Sequence, residues 1–119
     1  MEIVLKDTEL VLEADTSLIE QVLINLVVNS VEAVKDSTNA HIMLSAFRAS
    51  DNRVILKVSD NGAGMPQEVL EKVFIPFFST KKSGGGIGLS LCKQIMMLHK
   101  GNIQIQSVQG KGSSFSLQF

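Results

Sequence analysis

The chain has 119 residues, one domain's length. It is 45% hydrophobic and 19% charged with only two prolines, a composition able to bury a core and unlike a disordered polymer. Eleven Lys and Arg against twelve Asp and Glu leave a formal charge of −1, which removes the electrostatic case for nucleic acid or an anionic membrane as main partner. A single cysteine, Cys92, excludes an internal disulfide framework and a multi-cysteine zinc site, and fits a reducing compartment. No apolar run reaches the ~20 residues of a membrane span, and Glu2 and Lys6-Asp7 interrupt any signal-like N-terminus. The expectation is a soluble domain of the cytoplasm.

Glu2–Leu5 and Leu10–Leu12 flank the polar Lys6-Asp7-Thr8-Glu9, which predicts a β-hairpin. The period then changes. Leu18, Ile19, Val22, Leu23, Leu26, Val27, Val31 and Val34 recur at spacings of three and four, and Asp15 or Thr16 can cap the helix they predict. That helix should end near Asp36-Ser37-Thr38-Asn39. His41–Phe47 and Arg53–Ser59 are β-rich and flank Ala49-Ser50-Asp51-Asn52, a second hairpin. Asp60–Pro66 is loop, and Pro66 suits the first turn of a short helix reaching about Lys72.

Phe74–Gly86, with Pro76, a Lys pair and a run of glycines, predicts a long mobile loop, and such loops inside compact domains are usually functional. Ile87–His99 is helical in pattern, with Gly101 as its stop. Asn102–Val108 and Ser113–Phe119 alternate about Gly110-Lys111-Gly112, a third hairpin. The whole predicts an α/β (α+β) two-layer sandwich. Its mixed, largely antiparallel sheet of about five strands, plus the N-terminal hairpin, packs on about three helices.

Three constellations can carry chemistry. On the first helix Gln21, Asn25, Asn29, Glu32 and Asp36 form one polar line beside the apolar face. Asn is a mediocre helix former, so Asn25 and Asn29 one turn apart need a reason. Neutral oxygen ligands for a hard cation such as Mg²⁺ are one, and a solvated helix face is the alternative. Next, Asp60-Asn61-Gly62-Ala63-Gly64 follows a β-rich run. A carboxylate at a strand end can accept a hydrogen bond from an exocyclic amine, and glycines let backbone approach a flat ring; the alternative is an ordinary Asp-Asn-Gly turn. Third, Lys81-Lys82-Ser83-Gly84-Gly85-Gly86-Ile87-Gly88 opens a helix. Exposed N–H groups, the helix N-terminus and two ammonium groups make an anion cradle suited to a polyphosphate, unless the stretch is only a flexible loop. Its lysines precede the glycines, so it fails the Walker pattern, and no βαβ unit surrounds it as a Rossmann site requires. Together the three are the parts of a Mg·nucleotide site.

The segments QVLINLVVNSVEAV, DNGAGMP, VFIPFFSTK, GGGIGLSLCKQIMMLHKG and GKGSSFSLQF resemble, in this order, the N, G1, F, G2 and G3 boxes of the catalytic ATP-binding domain of two-component sensor histidine kinases. That domain shares the Bergerat (GHKL) fold with gyrase and MutL, and the resemblance covers Asp15–Phe119. It implies ATP and Mg²⁺ as cofactors. It places the Mg²⁺-binding Asn at Asn29, with Asn25 near the metal or phosphates, and gives these two the catalytic role. Asp60 matches the carboxylate that receives the adenine amino group, with Gly62 and Gly64 under the base. Gly84, Gly86, Gly88 and the adjoining Leu89 fall in the phosphate-facing box. Ser113 stands where the family often has Thr, after Gly110 and Gly112 and close to the adenine carboxylate, and Lys81 is similar to the lid lysine. It further implies a fragment of a longer parent, a homodimer, whose dimerisation domain carries the acceptor histidine and passes the phosphoryl group to a response-regulator receiver domain.

The chain departs from the wider pattern in three places. Asn25 stands where gyrase-like ATPases carry a Glu that activates water, so transfer to a protein acceptor is expected over hydrolysis. Glu32 replaces a common Lys or Arg, and Gly85 a common Thr. A nucleotide-driven conformational clamp is the alternative function, and a degenerate adaptor a third. His41 and His99 lack the acceptor context and read as strand-start and helix-end residues. Cys92 reads as a buried thiol, Met96-Met97 as core filling, and Phe74, Phe77 and Phe78 as anchors for the base of the lid.

Overall fold

The computed structural model describes residues 2–5, 14–75 and 88–119. In chain order the elements are β1 (Glu2–Leu5), α1 (Thr16–Val34), β2 (Ile42–Arg48), β3 (Val54–Asp60), α2 (Gln67–Leu70), α3 (Gly88–Leu98), β4 (Asn102–Val108) and β5 (Gly112–Gln118). They form the expected two layers, a five-stranded sheet in the order β1-β2-β3-β5-β4 with α1 and α3 packed on one face. The four strands β2 to β5 pair antiparallel.

β1 is the exception. It pairs parallel with β2, Glu2 opposite Met43 and Leu5 opposite Ala46, so it is the fifth strand of the main sheet. Parallel neighbours need a crossover connection, and α1 lies on it. The expected hairpin partner, Leu10–Leu12, lies outside the described residues, as does most of the predicted Phe74–Gly86 loop.

Each helix is set by local chemistry. Asp15 sits in extended backbone at φ −73°, and its Oδ1 accepts from the Leu18 N–H at 3.1 Å, satisfying one orphan donor of α1. α1 is 19 residues long and apolar enough to cross a membrane, contrary to the expectation that no such run exists. In the fold it is a core helix, because Ile19, Val22, Leu26 and Val34 line the side turned to the sheet and α3. α3 ends in a Schellman motif, the Gly101 N–H bonding the Met96 carbonyl at 2.9 Å and the Lys100 N–H bonding that of Met97 at 3.0 Å. Lys100 takes the left-handed turn (φ 58°), so the residue that stops the helix is one earlier than the glycine expected to do so.

The inner face of the sheet alternates as a half-buried sheet must, with Val58 on β3 and Phe115 and Leu117 on β5 fully buried against Leu26, Cys92 and Met96. Met97 is exposed, so of the two methionines read as core only Met96 fills it. At one end of this face the register sets Ile42, Asp60, Ser113 and Ser107 in a row across β2, β3, β5 and β4. The apolar core stops there and a polar edge begins.

His99 joins the two helices. Its Nε2 accepts from the Asp15 N–H at 3.0 Å while Nδ1 meets the Ile95 carbonyl at 2.8 Å, so the ring is held as the Nδ1–H tautomer with both nitrogens engaged. Replacing it with Ala removes both bonds. Urea unfolding of His99→Ala is expected to show a loss of about 1–3 kcal/mol, from ~1 kcal/mol per bond plus lost packing; unchanged stability would deny the strap.

Candidate functional site

α1 positions this edge through residues one turn apart. Asn25, Asn29 and Ala33 share one stripe, and Ser30 lies beside it on the buried stripe Val22-Leu26-Ser30-Val34. At the first of these positions the Asn25 Nδ2 donates to the Gly88 carbonyl at 3.4 Å and faces Cys92 Sγ at 3.8 Å, while its Oδ1 accepts from Gln21 Nε2 at 3.1 Å. A nitrogen must face that carbonyl, which fixes the amide's orientation. Asn25 is therefore a tether between α1 and the first residue of α3. Its oxygen accepts from Gln21 and keeps a second lone pair.

One turn further along, the Ser30 Oγ donates to Asp60 Oδ2 at 3.1 Å. Asp60 Oδ1 accepts from the Gly62 N–H at 2.9 Å. The strand-end carboxylate thus has a donor on each oxygen, one from the helix and one from its own loop. Ala33 supplies the last contact, its carbonyl accepting from the Ala63 N–H at 3.1 Å. Half-buried Asn29 lies between the turn that touches α3 and the turn that touches the loop after β3.

The loop after Asp60 is clamped on both sides. Asn61 accepts from the His41 N–H through Oδ1 and donates to the Asn39 carbonyl, each at 2.7 Å, tying the loop to the start of β2. On the other side the Gly110 N–H bonds the Ala63 carbonyl at 2.6 Å and the Met65 N–H bonds Ser107 Oγ at 2.8 Å. A Cβ at Gly62 would strike the Ala33 carbonyl, and one at Gly64 (φ 67°) that of Val108. Glycine is required there by the protein's own backbone on either flank, a different steric reason from the approach of a flat ring that the sequence suggested.

Buried Ser113 stands directly opposite Asp60, with its Oγ 2.8 Å from that of Ser107. Leu89 is half-buried against the core cluster and Gly88 is exposed beside Asn25. Asn29, Asp60, Gly62, Gly64, Ser113, Gly88 and Leu89 are therefore distributed around α1 and the adjoining sheet edge. Lys81, Gly84, Gly86, Phe77 and Phe78 lie outside the described residues. Phe74 carries the Lys93 ammonium 5.3 Å from its ring centre. Half-buried Glu32 pairs with exposed Lys35 at 2.7 Å, and that hydrogen bond holds the lysine above its ordinary range.

Sequence reasoning missed Ser30. Its signal was a hydroxyl in the middle of an otherwise apolar i, i+4 stripe, a place where an unbonded polar group is costly.

The profile of the family described as "Histidine kinase-, DNA gyrase B-, and HSP90-like ATPase" matches residues 14–119. The catalytic domain of the histidine kinase ThkA superposes with a TM-score of 0.84 at 35% identity, over 98% of this chain and 75% of that one. The chain belongs to this family. It is an ATP-binding catalytic domain of the sensor histidine kinase type. The signal transduction histidine-protein kinase AtoS of Escherichia coli is 38% identical over 106 residues, 89% of this chain and 17% of AtoS. Sensor histidine kinase ZraS of Salmonella typhimurium is 36% identical over 89% of this chain and 22% of ZraS. The chain thus spans about a fifth of the length of the curated kinases it matches.

Cys92, on the core side of α3, is fully buried, and burial pushes its thiol up to about 11 against a weaker opposite pull from Asn25. It should resist alkylation in the folded domain at pH 8. Raised from 9.0 to about 11, it should also cost stability as pH rises across that window, because the unfolded chain loses the proton first. Urea unfolding of the native domain at several pH values, compared with Cys92→Ala, is expected to show a drop of about 2 kcal/mol attributable to this thiol. Equal pH slopes in the two proteins would contradict it.

Proposed function

We propose that this domain binds Mg·ATP and transfers its γ-phosphoryl group to a histidine carried by a dimerisation domain of the same parent protein, at the cytoplasmic end of a two-component pathway. The observation that carries the reading is that α1 bonds the strand-end carboxylate Asp60 on one turn and the first residue of α3 on another, with Asn29 between them. Asp60 is the base reader, since a carboxylate with a donor already on each oxygen offers its remaining lone pairs to an amino group. Asn29 is the metal ligand, its amide oxygen suiting a hard cation. Gly88 and Leu89 open the helix whose N-terminus favours phosphate, with Gly84, Gly86 and Lys81 of the preceding segment completing the cradle.

Bound Mg²⁺ would neutralise charge on the phosphates. The chain's own contribution is to hold the nucleotide in place and supply no base for water. Position 25 is an amide, which cannot take a proton, and it is already bonded to Gln21 and Gly88. The acceptor is expected on another domain: His99 spends Nε2 on the Asp15 N–H and Nδ1 on the Ile95 carbonyl of its own helix, and His41 stands just before β2. Positioning and charge neutralisation account for catalysis of this kind. The receiver domain of a response regulator is the expected next acceptor, and the parent is expected to be a homodimer.

Calorimetric titration with ATP and MgCl₂ tests the assignment. Asp60→Asn is expected to weaken ATP binding tenfold or more, since a hydrogen bond to a charged group is worth about 1.5–3 kcal/mol. Asn29→Asp is expected to alter the magnesium dependence of ATP binding while leaving adenosine binding unaltered. Unchanged ATP affinity in Asp60→Asn would remove the assignment of that residue.

A further inference from the structure

Ser30 is fully buried on the body of α1, in line with Val22 and Leu26, which are also fully buried, and with Val34. Serine is a mediocre helix former, and a buried hydroxyl is costly unless it is bonded. Its Oγ donates to Asp60 Oδ2 at 3.1 Å. A serine hydroxyl has one proton, and here it is committed to the carboxylate.

The other Asp60 oxygen is fixed independently by the Gly62 N–H at 2.9 Å. One donor comes from the helix and the other from the loop, so together they stop the carboxylate turning about its Cβ–Cγ bond. Ser113 stands opposite on β5 and bonds Ser107, closing the same row. The lone pairs left on Asp60 face a ligand in one fixed direction and can only accept.

We infer that Ser30 is a positioning residue for the base-reading carboxylate and sets the preference for a 6-amino over a 6-oxo purine. The inference rests on the proposed role of Asp60 as the base reader. A 6-amino group donates to the fixed oxygens, whereas a 6-oxo group would set acceptor against acceptor. Without the Ser30 proton the carboxylate is held on one side only and can turn away, so the amino group loses its aligned acceptor.

The test is equilibrium titration of the whole domain with Mg·ATP and Mg·ITP, which differ at the 6-position. Native protein, Ser30→Ala, Ser30→Thr, Asp60→Asn and the Ser30→Ala/Asp60→Asn double variant are compared, with thermal melts of each. Native protein is expected to prefer ATP. Ser30→Ala is expected to lose ATP affinity about tenfold, or about 1.4 kcal/mol, with ITP affinity unchanged, and Ser30→Thr, which keeps the hydroxyl, to retain the native ratio. In the Asp60→Asn background Ser30→Ala should cost nothing more, since it acts through that carboxylate.

An unchanged ATP-to-ITP ratio in Ser30→Ala, or equal losses for both nucleotides, would overturn the role of Ser30 while leaving Asp60 as base reader. An undiminished loss in the Asp60→Asn background would do the same. A native domain that fails to prefer ATP would overturn the reading of Asp60 and the inference with it.

Discussion

The hydrogen bond from Ser30 to Asp60 is where the polar edge of this domain is joined to its core. It runs from a buried stripe of α1 to the last residue of β3, so the helix that fills the core also orients a carboxylate at its rim. Neighbouring turns of the same helix repeat the pattern, Asn25 reaching α3 and Ala33 reaching the loop after Asp60. A rigid helix spaces such contacts one turn apart, about 5.4 Å. The separation of the pieces around the site is therefore inherited from α1, and a change in how α1 sits on the sheet moves all of them together.

Much of this was legible because it is local. The change from alternating to three-and-four spacing after Asp15 marks α1 to within a residue of its observed start, and the cap is Asp15, one of the two candidates. The strand pairs β2–β3 and β4–β5 follow from short turns between alternating segments. Asp60 was legible as a carboxylate at a strand end, whereas Ser113 came near it only through the family resemblance, because the β3–β5 pairing that sets the two opposite each other is long-range.

What was not legible is long-range or directional. The parallel pairing of β1 depends on which sheet edge it reaches, and its four residues alternate no differently from one half of a hairpin. Asn25 and Asn29 look equivalent in sequence, yet the amide of Asn25 faces the α3 backbone, a matter of what lies across from it. Gly62 and Gly64 were identifiable as special, but the carbonyls that demand their missing side chains belong to residues dozens of positions away. Ser30 is the same problem in small: a lone hydroxyl in an apolar stripe has meaning only beside its partner.

These differences bear on the chemistry. An amide at position 25 that ties two helices together makes a poor water activator, and a carboxylate held by two donors makes a good reader of a donor group. Kinase catalysis by positioning asks for both. The central claim is that one ligand is gripped at once by the Asn29 turn of α1, the Asp60 carboxylate with its loop, and the start of α3. Two-dimensional NMR of the labelled domain during a Mg·ATP titration tests it directly. The account predicts that the Asn29 side-chain NH₂ and the backbone amides of Gly62, Ser113 and Gly88 shift with one shared half-saturation. Shifts that leave Asn29 and Gly62 unmoved, or that titrate them at separate concentrations, would contradict it.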